Sequence, residues 1–246
     1  IRYNGFNDIR GGGHFSGRLT APIVFAGSVC RQILEKKGIK IASHIQSVGK
    51  VCDSRFNPLK IDEGLINNLN KQSFPVIDPS SEPKMREYIE NARMSQDSTG
   101  GVIECVATGV PAGIGSPMFG GVENLISSIM FGIPAVKGIE FGAGFAITEM
   151  LGSQANDQYA YDENGRVVTL SNNNGGITGG ITNGMPILFR IAVKPTPSIS
   201  KPQQTVDLTK HENTELVIHG RHDPCIVPRA TVVVESALAV ALINLL

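Results

Sequence analysis

Apolar residues recur at helical spacing in three stretches of the chain. Between Arg18 and Lys37 they return at every third or fourth position, and Gly38 follows as a helix stop. A second helix is predicted around Pro83, and its apolar face consists of Met85, Tyr88, Ile89 and Ala92. A third is predicted in GVENLISSIMFG, residues 121–132. Each of these helices is amphipathic, so each is expected to pack on a core through one side.

Alternation of apolar and polar residues predicts strands between the helices. One face of IKIASHIQSV (39–48) consists of Ile39, Ile41, Ser43 and Ile45. This face is predicted to be buried. His44 lies on the opposite face, where a solvated or sheet-edge histidine is expected rather than a ligand. Further strands are predicted at 102–110, 135–142 and 185–193.

Helices and strands alternate irregularly, which indicates an α+β chain. The unit LEKKGIKIASHI (34–45) has a weak counterpart in SSIMFGIPAVKGIEF (127–141), so an internal helix–strand repeat is predicted. Prolines punctuate residues 54–80, where loops are expected. Residues 153–166 are polar and rich in turn formers, and they are predicted to form a surface excursion between strands.

Charge and cysteine usage exclude several classes of function. The chain has 246 residues, of which 22 are Lys or Arg and 22 are Asp or Glu, so no nucleic-acid partner is expected. The four cysteines form no C-x-x-C pair, and the five histidines form no H-E-x-x-H motif. Neither a metal site nor a disulfide framework is therefore predicted, and reduced thiols in the cytoplasm are expected.

The two ends of the chain also bear on its location. The tail from Ala230 to Leu246 is apolar but short for a membrane span, and it contains Glu235. A buried core helix and no membrane partner are therefore predicted. No signal-peptide pattern is present at the polar start, and we expect further residues to precede Ile1 in the natural protein.

The densest chemical pattern lies between residues 172 and 225. NNNGGITGGITNG (172–184) contains five glycines, which are Gly175, Gly176, Gly179, Gly180 and Gly184. Such a run makes sense where the backbone needs positive φ or where a ligand approaches it closely. KPTPSISKP (194–202) and GRHDPC (220–225) follow, with the cations Lys194 and Arg221. Backbone N–H groups and fixed cations suit a phosphate-bearing ligand, although a single block of this kind would be typical of tight turns between strands.

Other motifs predict less. The chain contains no Walker motif, which excludes a P-loop nucleotide hydrolase, and GAGFAI (142–147) has only two glycines of the dinucleotide fingerprint. Ser16 lies in GGGHFSG without the G-x-S-x-G spacing of a hydrolase elbow. A serine hydrolase that uses Ser16, a histidine and Asp223 remains an open alternative.

Taken together, the motifs resemble chorismate synthase. The strings that carry the resemblance are RGGGHFSGRLTAP, SRFNPL, DSTGGVIECVATGVPAGIGSPMF, PAVKGIEFG, SNNNGGITGGITNGMPILFRIAVKPTPSISKPQ and GRHDPC, in this order. The resemblance implies one domain over 1–246 that lacks the family's N-terminal part. Its fold would be the family's β-α-β sandwich, two antiparallel sheets around a helical core, in a homotetramer.

The resemblance also implies a reaction. Members of the family use reduced FMN to eliminate phosphate and a proton from 5-enolpyruvylshikimate-3-phosphate in an anti-1,4 sense, which gives chorismate for aromatic amino acid biosynthesis. There is no net redox change. NADPH is a second cofactor in those members that reduce their own flavin, and these residues leave open which kind this chain represents.

Site residues follow from the motif match. The implied flavin contacts are His14, Phe15, Ser16, Pro134, Ala135, Gly179, Lys194, Pro195, Thr196, Pro197, Ser198 and Arg221. Many members have Arg-Ser-Ser in place of the first three, and Pro134 replaces a frequent Asn. Asp223 matches the family's catalytic aspartate, which works with the flavin in removing the substrate proton; its alternative role is a turn residue before Pro224.

One departure limits what the resemblance implies. The family's two catalytic histidines belong to sequence that would precede Ile1. None of the five histidines of this chain, which are His14, His44, His211, His219 and His222, is their equivalent. An inactive fragment or assembly module with the same fold is therefore the alternative to an active lyase.

Overall fold

A computed structural model describes residues 2–8, 10–220 and 222–246. The helices are α1 (Ala21–Lys36), α2 (Glu63–Leu69), α3 (Ser81–Met94), α4 (Val122–Phe131), α5 (Gly152–Ala155) and α6 (Val227–Leu245). The strands are β1 (Lys40–Val48), β2 (Val51–Cys52), β3 (Gly101–Thr108), β4 (Val136–Phe141), β5 (Tyr159–Tyr161), β6 (Val167–Thr169), β7 (Ile177–Thr178), β8 (Ile181–Thr182), β9 (Ile187–Val193), β10 (Gln203–Asp207) and β11 (Glu212–Leu216). The α+β class is confirmed, and both predicted helix–strand units are present as α1–β1 and α4–β4.

The centre of the fold is a five-stranded antiparallel sheet with the order β2-β1-β3-β9-β4. Strand β3 pairs with β1 on one side and with β9 on the other, so residues distant in sequence meet across it. The remaining strands form three two-stranded hairpins, β5–β6, β7–β8 and β10–β11. Of the two sheets that the resemblance implies, the described residues thus build one, with helices against it.

Helices α1, α4 and α6 cover one face of the sheet. The predicted apolar face of β1 lies in this layer, because Ile41 and Ile45 belong to the same core cluster as α6. Helix α6 is long and apolar enough to cross a membrane, but two thirds of its apolar window is buried inside the protein, as predicted for a core helix. Gly27 of α1 permits close packing, since a Cβ there would lie 2.3 Å from the Cβ of Ser236.

Side chains and a loop cover the outer edge of β1. Strand β2 is only two residues long, so it leaves most of that edge unpaired. Glu235 of α6 accepts the Ser43 N–H (2.9 Å) and binds Arg31 (2.6 Å), while the Ile45 N–H donates to the Pro75 carbonyl (2.8 Å). The exposed edge that would otherwise invite another strand is therefore satisfied within the chain.

The opposite face of the sheet carries His44, and the expectation that it is solvated is wrong. The side chain is completely buried, and the ring of Phe56 packs edge-on against it with centroids 4.8 Å apart. Its Nδ1 lies 3.0 Å from Asp53 Oδ2, and its Nε2 lies 2.9 Å from Glu104 Oε2. The chain after β2 folds back over this face, which alternation within β1 alone cannot indicate.

Asp53, His44 and Glu104, here called the His44 cluster, fasten that segment to the sheet. Asp53 accepts the N–H groups of Ile77 (2.6 Å) and Asp78 (2.9 Å), and Glu104 accepts the Phe56 N–H (2.8 Å). The segment also contains α2, a helix that the prediction of a loop-rich stretch at 54–80 did not include. Asp62 begins this helix by accepting the Leu65 N–H (3.1 Å).

Candidate functional site

Four segments of the chain meet at the edge of the sheet where β9 ends. Val193 pairs with Gly101 of β3 and with Val136 of β4, so the last residue of β9 lies beside the first residues of both neighbours. The Lys194 N–H then donates to the Ala135 carbonyl (2.9 Å). Two of the predicted flavin segments, 134–135 and 194–198, are thereby brought together.

The DSTGG segment before β3 joins the same edge. The Ser98 hydroxyl donates to the Thr196 carbonyl (2.6 Å), and the Thr99 N–H donates to the Pro224 carbonyl (2.8 Å). Gly100 permits this approach, because a Cβ there would lie 2.3 Å from the Val193 carbonyl oxygen. The turn that contains Asp223 is thus linked to the Lys194–Ser198 segment through residues 98–100.

Asp223 is held at both carboxylate oxygens. Oδ1 accepts the Cys225 N–H (3.2 Å), and Oδ2 lies 3.1 Å from Nη1 of Arg229, in the first turn of α6. The carboxylate lines a cavity of about 610 Å³, whose wall also includes Ser200 and His222. A carboxylate oriented beside a cavity of this size is suited to exchange a proton with a bound molecule.

Charged residues of both signs line the cavity, and they are Arg93, Asp97, Asp223 and Arg229. Asp97 forms an ion pair with Lys201 (2.7 Å). The hydrogen bond from Lys201, supported by the Ser98 N–H, holds the pKa of Asp97 below its usual value. Lys194 lies outside the lining of this cavity. It is exposed and, among the described residues, has no carboxylate within 4.0 Å of its ammonium. Arg221, the other predicted cation, lies outside the described residues.

One buried polar atom in this region is left without a protein partner. Thr196 Oγ1 is buried and makes no hydrogen bond within the part of the chain that the structure describes. Because a buried hydroxyl normally finds a partner, this atom fits a site that a polar ligand completes. Together with the ammonium of Lys194, it provides a donor and a cation of the kind that a phosphate-bearing cofactor requires.

The glycine-rich block lies elsewhere. Its entry is fixed by Asp157, which accepts hydrogen bonds from the Ser171 hydroxyl (2.7 Å) and the N–H groups of Asn173 (2.7 Å) and Asn174 (2.9 Å). The Leu188 N–H donates to the Gly175 carbonyl, so the block begins beside the start of β9. Strand β9 has seven residues and spans about 23 Å, so the start of this block is far from Lys194.

Gly179 itself has the geometry that a glycine permits. It lies in the β7–β8 turn with φ +63°, and a Cβ there would meet no heavy atom within 4 Å. The position is therefore open to a neighbouring molecule. Among the described residues, no hydrogen bond runs from residues 175–184 to the edge where Asp223 and Lys194 lie.

The predicted contacts His14, Phe15 and Ser16 form a third group before α1. They lie at short 3₁₀ turns, His14 and Phe15 are exposed, and Ser16 Oγ accepts the Arg18 N–H (3.2 Å). Within the described ranges, no histidine bonds to Ser16, and Asp223 is engaged by Arg229 and Cys225 instead. The geometry gives the serine hydrolase alternative no support.

Comparison with known proteins decides the family. The family model described as chorismate synthase matches residues 1–246. The chain belongs to the chorismate synthase family. It is 49% identical to the chorismate synthase of Pyrococcus abyssi over 242 residues, covering 98% of this chain and 66% of that protein. It is 47% identical to the chorismate synthase of Thermococcus kodakarensis over 239 residues, covering 97% of this chain and 65% of that protein.

The fold of the chorismate synthase family is confirmed by a solved structure. A crystal structure titled chorismate synthase superposes with a TM-score of 0.78 at 31% identity, covering 100% of this chain and 68% of that chain. The chain therefore spans just under two thirds of the length of the curated relatives that it matches.

Several residues of this chorismate synthase family member position the site without having been singled out from sequence. They are Ser98 and Thr99 in the DSTGG string and Arg229 in α6. Asp157, in the polar excursion, positions the glycine-rich block instead. DSTGG was visible as a motif of the family. Nothing local marks Asp157 or Arg229, because their partners lie in other segments of the chain.

Proposed function

We propose that this protein functions as a chorismate synthase. In this reaction a phosphate and a proton leave 5-enolpyruvylshikimate-3-phosphate, a carbon–carbon double bond forms, and the product is chorismate. Membership of the family supports the proposal. The single observation that carries it is the convergence of Ala135, Lys194, Thr196 and Asp223, by direct hydrogen bonds between their segments, at one edge of the sheet.

The residues at this edge have separable tasks in the proposal. Lys194 provides a cation for a phosphate or for an anionic flavin, and Thr196 Oγ1 provides a buried polar atom that lacks a protein partner. Reduced FMN, when bound, supplies electron density transiently to the breaking C–O bond. Asp223 takes part in moving the substrate proton.

The remaining assignments rest on the resemblance. His14, Phe15, Ser16, Pro134 and Gly179 are proposed as further flavin contacts, as are Pro195, Pro197, Ser198 and Arg221. We further propose a homotetramer in the cytoplasm. NADPH is proposed only for the case in which the protein reduces its own flavin.

The test uses the full-length gene product under anaerobic conditions. Titration with reduced FMN, with and without 5-enolpyruvylshikimate-3-phosphate, is expected to change the flavin spectrum, and tighter binding is expected when the substrate is present. Chorismate formation is then measured directly. The proposal is refuted if circular dichroism shows a folded protein and this protein binds neither reduced FMN nor 5-enolpyruvylshikimate-3-phosphate.

The alternative, an inactive assembly module, is tested on the 246-residue chain itself. The same titration and assay are applied to it, and its oligomeric state is measured by light scattering. The module is favoured if the 246-residue chain forms oligomers but neither binds flavin nor turns over substrate, and if the full-length protein is inactive as well. If the full-length protein is active and the 246-residue chain is not, residues outside this chain complete the site.

A further inference from the structure

Arg229 connects Asp223 to the most deeply buried helix of the fold. Its Nη1 lies 3.1 Å from Asp223 Oδ2. Arg229 belongs to the first turn of α6, where its neighbours Val227 and Ala230 are buried. The backbone of Arg229 is therefore fixed by core packing, although its side chain is largely exposed.

Asp223, by contrast, lies in an irregular segment between β11 and α6. A carboxylate there turns easily about its last side-chain torsion, because that torsion has broad, shallow minima. Cys225 N–H holds Oδ1 and Arg229 holds Oδ2, and both carboxylate and guanidinium line the same cavity. With both oxygens held, the plane of the carboxylate is set relative to the cavity.

Stability does not account for this pair. Arg229 and Asp223 have side-chain exposures of 80% and 23%, and ion pairs this exposed contribute little to folding. The chain offers a matched comparison in Arg166 and Asp162, with exposures of 73% and 20% and an N–O distance of 2.7 Å, in the polar excursion. What distinguishes the Arg229 pair is its place on the wall of the cavity.

We propose that Arg229 is a positioning residue that orients the Asp223 carboxylate for proton transfer. This inference rests on the proposed function, in which Asp223 moves the substrate proton. Arg229 acts through Asp223 in this proposal and has no separate role in binding flavin or substrate.

The experiment compares Arg229→Gln, Arg229→Lys, Asp223→Asn and the double variant Arg229→Gln/Asp223→Asn in the full-length protein. Arg166→Gln is the matched control. Arg229→Gln is expected to lower kcat about tenfold while KM and the affinity for reduced FMN change by less than about twofold. Arg229→Lys, which keeps the charge, is expected to recover part of kcat.

One further readout separates positioning from a structural role. The double variant is expected to be no slower than Asp223→Asn, because a residue that acts only through Asp223 has no effect once that carboxylate is gone. Arg166→Gln should leave kcat unchanged.

The outcomes distinguish this inference from the proposed function. Normal kcat in Arg229→Gln, with a slow Asp223→Asn, would overturn the positioning role alone. A raised KM with unchanged kcat would mean that Arg229 contacts the substrate itself, which also overturns it. Normal turnover in Asp223→Asn would remove the proton-transfer role from the proposed function and the inference with it. If Arg229→Gln fails to fold, Arg229→Lys and the double variant Arg229→Lys/Asp223→Asn carry the test, because a double variant slower than Asp223→Asn would again show that Arg229 does not act only through Asp223.

Discussion

Replacing His44 by Gln is the most severe test of the structural reasoning. Both ring nitrogens face carboxylate oxygens within 3.0 Å, and a neutral imidazole has only one N–H to donate. We therefore expect His44 to be an imidazolium between Asp53 and Glu104. A glutamine can donate to one of these carboxylates, but its carbonyl oxygen would then face the other.

The size of the destabilisation by His44→Gln follows from the burial of the cluster. All three side chains of the His44 cluster are at most 1% exposed, so the carboxylate without a partner cannot turn to water. Removing one member of a buried ion pair costs about 3–5 kcal/mol. The total stability of a domain is commonly about 5–15 kcal/mol, so His44→Gln is expected to remove a large share of it.

The same geometry sets the pH dependence. Burial acts to lower the pKa of His44, but the hydrogen bonds to Asp53 and Glu104 outweigh it, and the pKa lies above its ordinary value of 6.5. This contribution to stability is full below pH 6.5 and is lost as the pH rises through the folded-state pKa. For Asp53, burial acts to raise the pKa, but the hydrogen bonds from His44, Ile77 and Asp78 leave it below 3.8. That contribution is present above pH 3.8 and is lost as the pH falls through the lower value, so the cluster stabilises most between these two pH values.

Urea unfolding at a series of pH values measures both effects. His219→Gln is the control, because His219 is exposed, and its free energy of unfolding should match the native chain within about 0.5 kcal/mol. The native chain should lose stability above pH 6.5, and His44→Gln should lack this loss. If the free energy of unfolding of His44→Gln at pH 6 lies within about 1 kcal/mol of the native value, His44 is not an imidazolium paired with two buried carboxylates, because the loss of such a cation would cost more.

Three further predictions follow. Gly27→Ala places a Cβ 2.3 Å from the Cβ of Ser236, so α1 and α6 must move apart. Urea unfolding should show a loss of about 1–3 kcal/mol in the free energy of unfolding. An unchanged midpoint of the urea transition would contradict the close approach of the two helices. Burial raises the pKa of Cys225 to about 11, so at pH 8 a thiol reagent should modify exposed Cys52 and leave Cys225 unmodified. Mass spectrometry measures the two rates of modification, and equal rates would show that Cys225 is accessible. Asp223→Asn in the full-length protein should keep the turn but lower chorismate formation by about 10²–10⁴, with substrate affinity changed much less; near-normal turnover would leave Asp223 a turn residue.

The periodicity of apolar residues predicts most of the helices and strands, but it does not indicate which distant segments pack against them. The alternation in β1 correctly predicted that Ile41 and Ile45 share a buried face. It also correctly put His44 on the other face, but it could not indicate that Asp53 and Glu104 enclose it, since Glu104 lies 60 residues away. Helix α2 was missed because prolines on either side dominated the pattern, although Asp62 was available as its cap.

The candidate site shows the same division. The strings KPTPSISKP and GRHDPC indicated a site, and Asp223 and Lys194 were named from them. That Ala135 meets Lys194 depends on β4 lying beside β9, which is a property of the strand order and not of any local motif. The distance between the start of the glycine-rich block and this edge likewise follows from the length and direction of β9.

The hydrogen bonds that assemble the site belong mainly to the backbone. Lys194 bonds to Ala135, and Thr99 bonds to Pro224, through main-chain atoms at both ends, and Ser98 reaches a main-chain carbonyl. Such bonds are indifferent to side-chain identity, so evolution can replace residues in these segments without dismantling their arrangement. The changes least tolerated here would be prolines at 99 or 194, which remove the donating N–H itself.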